Sequence, residues 1–224
     1  ALSAYMRPIY SLFGIYFFIR FCLINKDRGL LIKYILISII LSLPAFYYFF
    51  ILNINKWAFT YIYRENIITI IFLVASVITF YLIPFIFLTK KSLYKDFINL
   101  KYFLIFVLCL ILNIVFFNYD RSYSGGIIIK ISTLFFNSYY FFYFVSSLCF
   151  IFILNIFFDD KLKKNILDIL IILILFFLEI DGVIYHETYD PLLYIIIILM
   201  FKNRLFIDFI KKYSIKKYFF LFSY

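Results

Sequence analysis

From Ile67 to Thr89 the chain runs for twenty-three residues without a charge. As an α-helix such a run is about 34 Å long, slightly more than the hydrocarbon thickness of a bilayer. Backbone N–H and C=O groups in lipid meet no water, so only helices and closed barrels cross it. The run is continuously apolar rather than alternating, which argues against a barrel strand. Comparable runs recur along the chain. Seven apolar segments are read, at about 5–24, 30–52, 67–89, 97–117, 131–158, 166–180 and 191–201, with ends good to a few residues. The sequence therefore predicts an all-α fold, a polytopic transmembrane helix bundle of about seven membrane segments.

Composition supports this class. Hydrophobic residues make up 67% and charged residues 15% of the chain, against about a half and a quarter in soluble domains. A soluble core of this make-up would have too few polar residues to cover it. The net charge of +10 would point to nucleic acid in a soluble protein. Here it is read as the basic residues of cytoplasmic loops, and no nucleic-acid partner is expected. Cys22, Cys109 and Cys149 lie inside apolar runs and read as small buried hydrophobes without disulfide or metal spacing. The chain opens on ALSAYMRPIY, without methionine, a basic start or a cleavage signal, and is read as a fragment of a longer protein.

Lysines and arginines set the orientation. Lys26, Arg28 and Lys33 follow the first segment, Lys90, Lys91, Lys95 and Lys101 the third, and Lys161, Lys163 and Lys164 the fifth. Lys202, Arg204, Lys211, Lys212, Lys216 and Lys217 follow the last. The intervening loops hold only Lys56, Arg64, Arg121 and Lys130. This alternation puts the N-terminal end outside and the C-terminus in the cytoplasm. Residues 1–201 form the transmembrane bundle and residues 202–224 a basic cytoplasmic tail. In that tail Leu205, Phe206, Phe209, Ile210 and Tyr213 share one helical side, opposite Asp208, Lys211, Lys212 and Ser214. That pattern predicts an amphipathic helix on the anionic inner leaflet, with membrane lipids as partners.

The chain's only histidine lies in LEIDGVIYHETYDPLLY, residues 178–194, with four carboxylates and no basic residue. The charge count puts this stretch on the outer face. His186, Glu187 and Asp190, joined by Glu179 and Asp181, are the leading candidates for a substrate-binding site. Clustered carboxylates supply oxygen ligands or a general base, so a divalent cation is the one cofactor they suit. A zinc site is not expected, since one histidine without nearby cysteines cannot complete it. The plain structural account of the same residues is an outer loop in which Asp190 caps the last helix and Pro191 takes its first position. Both flanking segments are short, so either the bilayer thins there or Val183 to Asp190 dips below the headgroups, shielded by the other helices.

Arg7, beside Pro8 near the outer end of the first segment, is a candidate for binding a phosphate or carboxylate through its planar guanidinium. Snorkelling to the headgroups accounts for it equally well. Asp120 and Arg121 read as a local pair or solvated turn, and Gly125–Gly126 as a backbone-permissive lead into the next helix. Trp57, Tyr61 and Tyr63 suit an interfacial belt. Asn113, Asn137 and Asn155 lie within segments and suit hydrogen bonds between helices. Nucleophilic triads, Walker loops and dinucleotide fingerprints are absent from the sequence.

Four pieces together, SAYMRPIYSLFGIYFF, ILSLPAFYYF, GGIIIKISTLFFNSYYFFYFVSSL and IYHETYDPLLYIIIILMFK, resemble the C-terminal halves of bacterial multipass GT-C-type glycosyltransferases that use lipid-linked sugars. The resemblance spans most of the chain and rests on spacing and residue type. It implies an inner (plasma) membrane protein that meets a polyprenyl-phosphate-linked sugar and a cell-envelope acceptor. In that family catalysis depends on an acidic residue in the first outer loop, which here would precede Ala1. No catalytic residue is therefore carried over. Two other classes fit the composition: a transporter, flippase or polysaccharide-assembly protein without covalent chemistry, and a structural subunit of a respiratory membrane complex.

Overall fold

The computed structural model describes residues 12–25, 27–47, 66–89, 100–119, 125–157, 166–178 and 186–201. Among these residues the secondary structure is helical throughout, without strands. The helices are α1 (Leu12–Ile24), α2 (Arg28–Phe46), α3 (Ile67–Thr89), α4 (Leu100–Phe116), α5 (Ile127–Phe136), α6 (Tyr140–Phe157), α7 (Ile166–Phe177) and α8 (His186–Leu199). Two of them contain a stretch long and apolar enough to cross a membrane, Ile67–Phe85 in α3 and Tyr140–Phe157 in α6. The chain divides into two compact units. One comprises Ala1–Arg64 and Leu170–Asp181, the other Glu65–Ile169 and Gly182–Tyr224.

In the first unit, Asp27 starts α2 by accepting a hydrogen bond from the Gly29 N–H at 2.8 Å, which satisfies one of the helix's free donors. Tyr34 of α2 stacks on Phe18 and Phe21 of α1, with ring centroids 6.2 and 5.0 Å away. Leu31, Tyr34, Ser38 and Ser42 form a half-buried stripe at helical spacing. Apolar residues such as Leu30, Ile32, Leu36, Ile39 and Leu43 occupy the remaining, exposed sides of α2.

In the second unit α3 carries the core. Leu73, Val74, Ala75, Val77, Ile78, Leu82 and Phe85 are all almost fully buried. Register follows from hydrogen bonds and rings. Asn113 of α4 lies beside Ser146 and Ser147 of α6, while Phe117, four residues on, lies beside Phe142. Numbers rise in one helix as they fall in the other, so α4 and α6 are antiparallel. Thr79 of α3 donates to the Cys149 carbonyl at 3.3 Å, and the start of α3 meets the end of α4. Asn66 and Thr69 both donate to the Phe116 carbonyl, and Thr69 Oγ1 accepts from the Asn118 N–H. Thus α3 runs parallel to α6, and the starts of both share one end of the unit with the end of α4.

The predicted fifth segment, 131–158, is not one helix. It divides into α5 and α6 at Asn137, which takes a left-handed conformation with φ 47°. Asparagine tolerates that region, and its backbone ends α5. Asn137 is therefore a helix stop rather than the interhelical donor expected. Ser132 of α5 accepts from the Phe142 N–H and so caps α6 from the neighbouring helix. Gly125 and Gly126 lead into α5 with φ of 95° and 90°, which agrees with the backbone-permissive lead read from the sequence. Cys22 is half-buried and Cys109 and Cys149 are buried, all as free thiols.

Candidate functional site

The end of the second unit where α3 and α6 begin gathers aromatic and polar groups in two tiers. Phe117, just past α4, touches the rings of Tyr119, Tyr139, Phe142 and Tyr143, with centroids 4.9–6.3 Å apart. Phe142 and Tyr119 are buried there, whereas Tyr140 is 73% exposed. The Tyr139 hydroxyl donates to the Tyr119 carbonyl at 3.3 Å. Beneath this cluster Asn113, fully buried, donates through Nδ2 to Ser147 Oγ at 3.0 Å and Ser146 Oγ at 3.3 Å. Both serines donate onward to the Tyr143 carbonyl. This knot joins α4 to α6, the interhelical role expected of Asn113. Asn155, one turn from the other end of α6, is buried with its Nδ2 unbonded among the described residues.

α8 starts at His186, so Asp190 and Pro191 are its fifth and sixth residues. This corrects the expectation that Asp190 caps the helix with Pro191 at its first position. A helix's first four N–H groups lack internal partners. Pro191 lies just past them, so the donor it lacks would have served the Glu187 carbonyl. Glu187, in the first turn, lies where the helix dipole favours negative charge. Helical spacing puts positions 186, 190, 193 and 197 on one strip, whose Leu193 and Ile197 are buried. The structure describes the backbone of His186, Glu187 and Asp190, not their side chains. Arg7, Glu179, Asp181, Asp120, Arg121, Trp57, Tyr61, Tyr63 and the tail lie outside the described residues.

Tyr194 of α8 packs on Tyr81 and Phe85 of α3, with centroids 5.5 and 6.3 Å apart. Phe201 packs on Phe157 at the end of α6. α8 thus runs parallel to α3. From Tyr81 to the start of α3 the helix rises about 21 Å, whereas from Tyr194 to the start of α8 it rises about 12 Å. Because Tyr194 faces Phe85 as well, the described part of α8 begins roughly 9–15 Å further along the axis than α3. Two carboxylates within the first five residues of a helix suit oxygen ligation of a cation or acceptance of a proton from a hydroxyl.

Reading the sequence missed Asp168. It is fully buried in the first turn of α7, where the helix dipole favours its charge. The signal was a lone acid in the apolar run NILDILIILILFF. The ring cluster around Phe117 was also missed, because 25% aromatic content hides any one grouping. Among the described residues, no three histidine, cysteine, aspartate or glutamate residues gather as a metal site. No family model, curated protein or solved structure matches the chain.

Proposed function

We propose that the chain is the membrane bundle of a glycosyltransferase-like protein of the bacterial plasma membrane, moving a sugar from a polyprenyl-phosphate donor to a cell-envelope acceptor. The observation that carries this reading is the start of α8, whose first five residues hold the positions of His186, Glu187 and Asp190 at the end of the second unit where α3 and α6 begin. The apolar, exposed sides of α2 favour lipid as the surrounding solvent, since monomeric soluble proteins rarely expose apolar patches of that extent. In this reading Arg7 meets a phosphate, and Glu187 and Asp190 meet a cation or the acceptor hydroxyl. The reaction is displacement at the sugar carbon: the acceptor oxygen bonds that carbon as its bond to the polyprenyl phosphate breaks, the phosphate leaves, and the acceptor's proton goes to a base other than these residues.

The test is transfer of radiolabelled sugar from a polyprenyl-phosphate donor in membranes carrying the full-length protein. Glu187→Gln and Asp190→Asn should each lower transfer about 10- to 100-fold, the worth of a charge-assisted hydrogen bond, at unchanged protein level. Full transfer by both variants would reduce the stretch to an ordinary helix start. A second reading, transport without covalent chemistry, is favoured by Asp168, an ionisable side chain fully buried at the start of α7, since ionisable residues enclosed in a membrane bundle commonly mark ion or substrate paths. Under it Asp168→Asn abolishes flux, and no labelled sugar is transferred by the intact protein.

The same reading assigns seven crossings, by α1 to α4 and α6 to α8, with the N-terminal end outside. In a background lacking the three native cysteines, single cysteines at Asn55, Ser122 and His186 should react with a membrane-impermeant thiol reagent added outside intact cells. Cysteines at Asp27, Ser92 and Leu162 should react only after lysis. Reversed reactivity at two well-separated positions would overturn the assignment.

A further inference from the structure

We infer that α5 lies in the bilayer interface as a lipid-binding element, holding a phosphate-headed lipid of the leaflet at the end where α3 and α6 begin. The inference rests on the membrane reading above and adds a partner to it. With ten residues, α5 is about 15 Å long, half of what a crossing needs. Both its ends are tied to one residue. A side chain on Gly125 would touch the Tyr119 ring, and the Tyr139 hydroxyl bonds the Tyr119 carbonyl. The helix is therefore held at the rim rather than released along the bundle axis.

Its two sides differ sharply. Gly125, Gly126, Ile129 and Ser132 form the buried stripe, and Ser132 caps α6. Ile127, Ile131, Leu134 and Phe135 lie within one arc of about 100° on the outward side, with Leu134 and Phe135 each 80% exposed. Exposed Lys130 borders that arc, one helical turn from Leu134. Tyr139 and Tyr140, with polar tips on apolar rings, follow at its end. A helix that turns apolar side chains outward, edged by lysine and tyrosine, matches the layering of the interface. Acyl chains cover the apolar arc, while the lysine reaches the phosphates. The charge at Lys130 selects a phosphate-bearing anionic lipid over a neutral one.

The test uses the whole protein, freed of its three cysteines, in nanodiscs. Single cysteines at Leu134, Phe135 and, as a reference on the exposed middle of α4, Leu108 carry a bimane dye. Lipids brominated near the glycerol should quench the dye most strongly at 134 and 135, and lipids brominated near the chain ends should quench it most strongly at 108. Strongest quenching by chain-end bromine at 134 and 135 would make α5 part of a crossing helix and overturn the inference. So would an unquenched dye there that a water-soluble quencher reaches. No lipid quenching at 108 would sink the membrane reading itself, which keeps the two failures apart. Lys130→Gln, at an exposed position, should lower the ratio of co-purified phosphatidylglycerol to phosphatidylcholine about fivefold. An unchanged ratio would overturn the selection of an anionic headgroup by Lys130.

Discussion

Gly125→Ala should destabilise the second unit by roughly 2–6 kcal/mol, the sum of backbone strain and overpacking. The backbone at Gly125 has φ 95°, a region that side-chain-bearing residues rarely adopt. An added Cβ would also sit 2.8 Å from Ile129 Cγ2 and 2.8 Å from Tyr119 Cε1. Neither neighbour yields easily. Ile129 and Tyr119 are each 4% exposed, and Tyr119 is tied through its carbonyl to Tyr139. Unfolding in mixed micelles by SDS titration would measure the loss. Ile129→Ala in the same chain removes one of the two steric contacts and leaves the strain and the Tyr119 contact. The double variant should therefore lose less than the sum of the singles, with a coupling of about 1–3 kcal/mol. Wild-type stability in Gly125→Ala would show that neither the strain nor the contact exists.

Phe142→Ala should cost about 3–5 kcal/mol, the range for removing a buried aromatic ring. Phe142 is fully buried and its ring lies 4.9 Å from Phe117, the hub of the cluster at the rim. Its backbone N–H is also the one that Ser132 accepts, so the residue sits where α5 and α6 lock. The backbone bond survives truncation, and the loss should come from the cavity. A cycle with Phe117→Ala should show coupling of about 0.5–1.5 kcal/mol beyond area burial, as for other aromatic pairs. Additive losses would mean that the two rings stabilise the protein separately.

The readable parts of this fold are those that charge brackets. Glu65 and Lys90 enclose the uncharged run, and α3 spans Ile67–Thr89 as the sequence predicts. Asn113 was legible as well, because a carboxamide in an apolar helix needs a partner and finds two serines. The break at Asn137 was not legible, because apolar residues continue on both sides and the stop is made by one backbone angle. α8 is described from four residues before Asp190, and Glu187 in its first turn suits a helix N-terminus. The pairing of Asp with Pro concealed this. Asp168 was hidden by its surroundings: its burial is a tertiary fact, and the local sequence shows only one acid after a lysine-rich stretch. The tiers at the rim depend on contacts between residues far apart in sequence, which no local pattern carries.

The joint between α3 and α4 also has a place in time. Asn66 and Thr69 bond to Phe116, fifty and forty-seven residues later in the chain. At the usual pace of synthesis that partner is made about 3–10 s after Asn66. Until then the start of α3 carries polar side chains whose final acceptor does not yet exist. The two helices are therefore best released as a pair. On the membrane reading proposed above, a ribosome pause placed between them should leave α3 waiting at the insertion machinery, and one placed after Phe116 should not.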